Sequence, residues 1–340
     1  ERHIKPSIKL KFLIVCLNLM KKNVAKFLSI LFYKRLFFDA PQNNFKNHML
    51  NKFGFQKLRY FLLNKKFKLK KINQNSKNFK FKDLLNKDGI LMIKNFFKEN
   101  EYERLKQNIN QIKSYCKIDH YFLGNKDTYS FVFNKKSNNE TNSLINEIKQ
   151  LFGNSIIKEL LMSCSNININ DIFTDIIYQK ILSNDSSNDF NDHASEFHSD
   201  KCYPCFKGFL TLNHNTVSSG CYEYIKGSHL PSPSRLEYEY YLSLFESKIY
   251  NEKTMYEKGF QFRNNRITIT DRYIDKNFGM NSIKKCEAEE NSLIISNNMG
   301  FHKRGRFENN QIREQLRFGF YKYQKSDFSK WLRYILNRKQ

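Results

Sequence analysis

The chain is 340 residues long, enough to bury a sizeable core without disulfide or metal staples. Its 58 Lys and Arg against 33 Asp and Glu leave a formal net charge of +25, but the lysines run with Asn, Ile, Phe and Tyr along the whole length. They read as solvated surface more than as a dedicated nucleic-acid face, since the basic runs are not interleaved with aromatics in an RNA-module pattern. Seven scattered cysteines form an odd set that excludes a disulfide framework and indicates reduced thiols and a cytoplasmic protein.

In chain order, residues 1–80 read as a basic N-terminal extension, helical or partly disordered, closing on KKFKLKKINQNSKNFKFK. Its longest uncharged run, Phe12–Met20, is nine residues, against the ~20 that a membrane-spanning helix requires. No transmembrane segment is expected. A single domain is expected over 81–325. Gly89 breaks the chain before an apolar strand at Ile90–Ile93, and Tyr102, Leu105, Ile109, Ile112 and Cys116 then recur at helical spacing. HYFLGNKDTYSFVFN reads as a hairpin, and Leu144–Met162 as a second helix. From about residue 172 the texture changes to short strands parted by polar loops: DIFTDIIYQKILS, FKGFLTLNH, CYEYIKGSH, NSLIIS and EQLRFGFYKY. Such a series predicts a mainly β core with flanking helices, closed as a sandwich, jelly roll or barrel. Residues 231–285 form an aromatic and charged insertion, expected as a lid or lobe, and 326–340 a C-terminal helix.

The stretch EFHSDKCYPC concentrates the chemistry. In extended chain, residues i and i+2 point to one side, so His198 and Asp200 can reach one metal from adjacent positions. His302 follows the strand NSLIIS, in NMGFHKRGRF. Two histidines and a carboxylate on one face of a metal leave the opposite positions open, the arrangement used by non-haem Fe(II) oxygenases. A 2-oxo acid bound there presents a far carboxylate, for which a bidentate arginine is the natural partner. Arg313 opens the strand REQLRFGFY, and Arg317 shares its face by period-2 alternation; the alternative for both is a solvent-exposed strand edge. Cys202 and Cys205 make a C-x-x-C that suits zinc or redox chemistry, but no second pair follows at finger or ribbon spacing. His193 and His214 read as loop or surface residues, and His229 as a structural turn histidine.

The combination FHSDKCYPCFKGFLTLNHNTVSSGCYEYIKGSHLPS, AEENSLIISNNMGFHKRGRF and REQLRF resembles the phytanoyl-CoA dioxygenase family, and DLLNKDGILMIKNFFKENEYERLK is similar to that family's opening. The resemblance spans roughly residues 80–325. It implies a double-stranded β-helix (jelly roll, cupin-like), with His198, Asp200 and His302 as ligands of Fe(II) and Arg313 anchoring 2-oxoglutarate. It also implies a hydroxylase that takes a small organic substrate and O2 and releases succinate and CO2. Ser199 stands where the family often has Gln, and Tyr203 and Lys207 fall where it often has pocket residues. Competing readings are a non-catalytic or 2-oxoglutarate-independent cupin-like metal protein, and a basic surface-binding protein.

Overall fold

In the sequence 90–93, four apolar residues follow Gly89, whose φ of 78° lies in the left-handed region that favours glycine. They form the first strand of the structure, a computed structural model that describes residues 79–115, 128–132, 139–153, 176–182, 194–200, 205–263, 266–308 and 311–319, with residues 52 and 57. The strands are β1 (Ile90–Ile93), β2 (Thr128–Val132), β3 (Ile176–Leu182), β4 (Phe206–Thr211), β5 (Tyr222–Ile225), β6 (Phe260–Arg263), β7 (Arg266–Ile269), β8 (Ile283–Cys286), β9 (Leu293–Asn297), β10 (His302–Arg304) and β11 (Ile312–Gly319). The helices are α1 (Phe79–Lys87), α2 (Glu99–Tyr115), α3 (Asn139–Gly153), α4 (Pro233–Glu246), α5 (Glu252–Glu257) and α6 (Asp271–Phe278).

Six strands make one sheet in the order β1-β9-β4-β11-β3-β2, and three make a smaller one, β10-β5-β8. Every pairing is antiparallel. Period-2 alternation divides the large sheet into two faces. Ile176, Tyr178, Phe206, Leu210, Leu293, Ile295, Leu316 and Phe318 point to one side and pack against Leu105, Ile109 and Ile112 of α2 and Ile145, Ile148 and Phe152 of α3. The other side meets the smaller sheet, where Ile90, Phe209 and Ile294 pack with Tyr224 and Cys286. Two antiparallel sheets enclosing a common interior, with helices over the outer face of the larger, are the expected jelly roll.

The strands expected around 90–93, 171–183, 206–214, 221–229, 291–296 and 314–323 are all present, and α2 carries the helical face at 102–112. Among the described residues β2 pairs with β3; residues 120–127, the other arm of the expected hairpin, lie outside them. So do residues 154–162 of the second expected helix, the 326–340 helix, and all but residues 52, 57, 79 and 80 of the N-terminal extension. Helix α1 crosses the expected boundary at 80.

Residues 231–285 fold into α4, α5, the β6–β7 hairpin and α6, and end on β8, which belongs to the smaller sheet. Helix α4 starts on a Ser232 cap with Pro233 at its first turn, and α6 on a Thr270 cap that ends at Gly279 (φ 74°), in keeping with helix-terminus chemistry. Their apolar sides converge on a second core of Tyr238, Leu242, Met255, Phe260, Ile267 and Tyr273. Phe197 and Phe301, the residues immediately before His198 and His302, belong to that core. Among the described residues no helix is long and apolar enough to cross a membrane.

Candidate metal centre

His198 and His302 face each other across an isolated antiparallel bridge. The His198 amide donates to the His302 carbonyl at 3.0 Å, and the His302 amide donates back at 2.9 Å. A reciprocal pair of this kind directs both side chains to the same side at short range, and the imidazole centroids lie 4.6 Å apart. Asp200, two residues after His198, is turned to that side as well, its amide donating to the Asn298 carbonyl at 3.1 Å. His198 Nε2 lies 3.7 Å from Asp200 Oδ1, and His302 Nε2 lies 3.4 Å from Asp200 Oδ2. All three ligand atoms fall within 4.8 Å of one another.

The imidazoles present the correct nitrogens. His198 Nδ1 lies 2.8 Å from the Glu196 carbonyl and His302 Nδ1 lies 3.0 Å from the Gly300 carbonyl. A carbonyl only accepts, so each Nδ1 carries the proton and each Nε2 keeps its lone pair toward Asp200. Asn298 reinforces this: its Nδ2 donates to His302 Nε2 and to Asp200 Oδ2, both at 3.0 Å, while its Oδ1 accepts from Ser296 Oγ at 2.8 Å. Burial alone would raise the Asp200 carboxyl, but the Lys207 ammonium beside it outweighs that and holds it well below the usual carboxylate range. Lys207 Nζ is 2.5 Å from Asp200 Oδ2. Two imidazole nitrogens and an ionised carboxylate converging on one point are a donor set that fits a divalent transition metal with open positions.

Beyond β10 the interior turns strongly basic. His302 pairs with Tyr224 and Arg304 with Tyr222, so Arg304 stands two residues, ~6.6 Å, along the strand from the ligand. Arg313 enters from β11 and donates through Nη1 to the Gly220 carbonyl. Arg304 and Arg313 both stand against the Phe307 ring, at 5.5 and 5.4 Å from its centroid. Burial, and then the neighbouring Arg304, push the Arg313 guanidinium down to about 9, and burial pushes Arg304 down to about 10. Arg313 Nε is buried with no hydrogen-bond partner among the described residues. An orphaned guanidinium N–H in a basic, desolvated pocket fits a carboxylate.

Arg317 shares the inner face of β11 with Arg313 and Gln315, as alternation requires, but sits opposite Phe209 and is half-buried. Lys207 lines the site. Ser199, between His198 and Asp200, points away from both: its hydroxyl donates to the Met299 carbonyl at 2.8 Å and accepts from Arg235 Nη2 at 3.0 Å. Tyr203 and Cys202 lie outside the described residues, as does His193; His214 is exposed. His229 is buried, with Nε2 3.1 Å from the Asn86 carbonyl, and burial pushes it down to about 4. Cys205, Cys221 and Cys286 are buried, and burial pushes Cys221 up to about 11 and Cys286 to about 12, which makes these two thiols poor nucleophiles.

Sequence reasoning missed Asn298, Tyr222, Arg304 and Arg235. Tyr222 packs its ring 5.6 Å from His302 and shares a 2.9 Å hydrogen bond with Ser296 Oγ. A signal for Asn298 and Arg304 existed in their spacing, four residues before and two after the distal histidine; Tyr222 and Arg235 had none.

A model of the phytanoyl-CoA dioxygenase (PhyH) family matches residues 85–258, a span that includes His198 and Asp200. No curated protein matches the chain. Among solved structures, the chain is similar to the epimerase SnoN in complex with Fe3+, alpha ketoglutarate and nogalamycin RO, at 10% identity and a TM-score of 0.44, over 71% of this chain and 81% of that one. It is similar to HygX from Streptomyces hygroscopicus with nickel and 2-oxoglutarate bound, at 12% identity and a TM-score of 0.41, over 70% and 84% of the two chains. EctD from S. alaskensis with bound Fe matches at 11% identity and a TM-score of 0.42, over 74% and 79%.

Proposed function

The chain belongs to the phytanoyl-CoA dioxygenase family of iron- and 2-oxoglutarate-dependent oxygenases, and from that premise we propose that it hydroxylates a C–H bond of a small organic substrate in the cytoplasm, consuming O2 and releasing succinate and CO2. The observation that carries the reading is the convergence of His198 Nε2, His302 Nε2 and the Asp200 carboxylate within 4.8 Å. His198, Asp200 and His302 would hold Fe(II), with Arg313 as the partner of the far carboxylate of 2-oxoglutarate. Bound there, iron and 2-oxoglutarate supply the oxidising chemistry through loss of CO2 from the 2-oxo acid.

The chain's own residues supply orientation, charge and dryness. The Glu196 and Gly300 carbonyls fix the tautomers of the two histidines, so that neither has to lose a proton before it can donate a lone pair. Lys207 keeps Asp200 ionised. Arg313, held through Nη1 on the Gly220 carbonyl and stacked on Phe307, keeps Nε available to a carboxylate. Phe209, Ile294 and the Tyr222 ring wall the interior and exclude water around the reacting centre.

The test is succinate formation by the full chain with Fe(II), 2-oxoglutarate and a panel of organic acids, amino-acid derivatives and acyl thioesters. Turnover is expected to require both iron and 2-oxoglutarate, and to disappear in Asp200→Ala. Full turnover by an iron-loaded Asp200→Ala protein would sink the ligand assignment, and oxygen uptake indifferent to 2-oxoglutarate would sink the cosubstrate.

A further inference from the structure

We propose that Arg235 is a positioning residue for the metal centre, through which the lobe formed by 231–285 sets the geometry of the ligands. The inference rests on the reading of His198, Asp200 and His302 as metal ligands. Its starting point is the alternation along the ligand segment. His198 and Asp200 face inward, so Ser199 between them faces outward, toward the lobe. Phe197 and Phe301 likewise belong to the core of the lobe, so each histidine is preceded by a residue anchored on the far side of the backbone.

Arg235 lies in the first turn of α4 and is completely buried. Its Nη2 donates to Ser199 Oγ at 3.0 Å, and its Nη1 donates to the Met299 carbonyl at 2.6 Å. Ser199 Oγ donates to the same carbonyl at 2.8 Å. Guanidinium, hydroxyl and carbonyl thus form a closed triangle. It ties the segment that carries His198 and Asp200 to the turn that carries Asn298 and leads to His302.

The cation is held in place from its other side. Glu239, one helical turn on, accepts from Arg235 Nε at 3.1 Å with its own side chain only 3% exposed. The Tyr238 and Phe301 rings each lie 5.2 Å from the guanidinium carbon. A buried charge is tolerated when it is paired and its remaining protons are bonded, and here the Nη protons are directed onto the ligand segments. Partners that orient metal ligands from behind typically contribute ~10- to 100-fold in metal affinity.

The test uses the full chain and Co(II) as a spectroscopic stand-in, titrated by its visible d–d absorption. Wild type is expected to bind one Co(II), and His302→Ala to lose it; failure of wild type to bind would overturn the metal reading itself, and this inference with it. The double variant Arg235→Met with Glu239→Met removes both charges at similar volume, a change that leaves many folds intact. It is expected to keep its circular dichroism, to bind Co(II) about tenfold or more weakly, and to show a shifted absorption band. Arg235→Lys is expected to recover part of that affinity. Ser199→Ala, which removes one side of the triangle and leaves the lobe untouched, is expected to weaken Co(II) in the same direction. A folded double variant with the wild-type constant and band would overturn the proposal. Should that variant not fold, the wild-type constant and band in Ser199→Ala would overturn it equally.

Discussion

Arg313 and Arg317 occupy the same face of one strand, yet their surroundings separate them. Arg313 is 5% exposed, with an orphaned Nε beside Phe307 and Arg304, whereas Arg317 is half-buried opposite Phe209. Replacing Arg313 by Lys keeps the charge and removes the fork, and one charge-assisted hydrogen bond contributes ~1.5–3 kcal/mol. Steady-state kinetics of Arg313→Lys should therefore show KM for 2-oxoglutarate raised by about 10-fold or more, with Arg317→Lys close to wild type. The reverse ranking would move the carboxylate partner to Arg317. At this scale, the convergence of His198, Asp200 and His302 was legible in residue types and spacing, because a metal site demands particular atoms, and the inward placing of Arg313 was legible in strand alternation. The role of Arg235 was not, since its partners are 36 and 64 positions away and a Ser-Pro-Ser-Arg opening announces only a helix start. Ser199 stands where the resemblance places a Gln, but strand alternation about His198 and Asp200 turns it outward, onto the Met299 carbonyl and Arg235.

Strand β11 carries Arg313 inward and its neighbour Glu314 outward, where Glu314 joins the sheet to α2. Glu314 accepts from the Tyr178 hydroxyl at 2.9 Å and from Lys113 at 3.2 Å, with Lys180 at 3.5 Å. Burial alone would raise this carboxyl, but Lys113, the Tyr178 hydroxyl and Lys180 outweigh it and hold it below the usual value. A carboxyl depressed in the folded state contributes stability that is present above its unfolded pKa of ~4.3 and is lost as pH falls through the folded value. Denaturation of Glu314→Gln is expected to show a loss of about 1 kcal/mol at pH 7, and the gap to wild type should close as the pH drops from about 4. A gap unchanged in acid would mean that packing, not charge, accounts for it. Elements of this kind were legible wherever a period persisted, as in the 3-4-3 spacing of α2 and the apolar runs of β4 and β9. Strand β10 is three residues long and polar, too short for any period to show, and the helices of 231–285 mix aromatic and charged residues on both sides, so their shared core emerges only on folding.

At the scale of the described residues, two cores meet at His198 and His302: the interior between the sheets lies on one side, and the core that includes Phe197 and Phe301 on the other. The three ligand atoms come from parts of the chain 104 residues apart, held together by backbone pairing at His198 and His302. A metal that binds only this arrangement must stabilise the folded state, by ~2.7 kcal/mol at a hundredfold excess over its dissociation constant. Thermal denaturation with added Fe(II), or with Co(II) under air, should therefore rise by ~2–4 °C per kcal/mol for a domain of this size. A chelator should reverse the rise and His302→Ala should abolish it; an equal rise in His302→Ala would assign the effect to metal bound elsewhere. The jelly roll itself was legible from the succession of short strands, while the order in which they pair depends on long-range contacts that no local pattern encodes.

The reciprocal bridge between His198 and His302 also has a kinetic meaning. Closing a loop of about a hundred residues is entropically costly and comes late, after nearer contacts have formed. The strands that flank the bridge, β4 and β9, are themselves neighbours in the large sheet, so their pairing brings the two histidines together before any metal arrives. During refolding, uptake of the ion should then lag the appearance of β structure and coincide with the recovery of protease resistance around residue 200. The ion would act as a seal on a finished chain rather than as its nucleus.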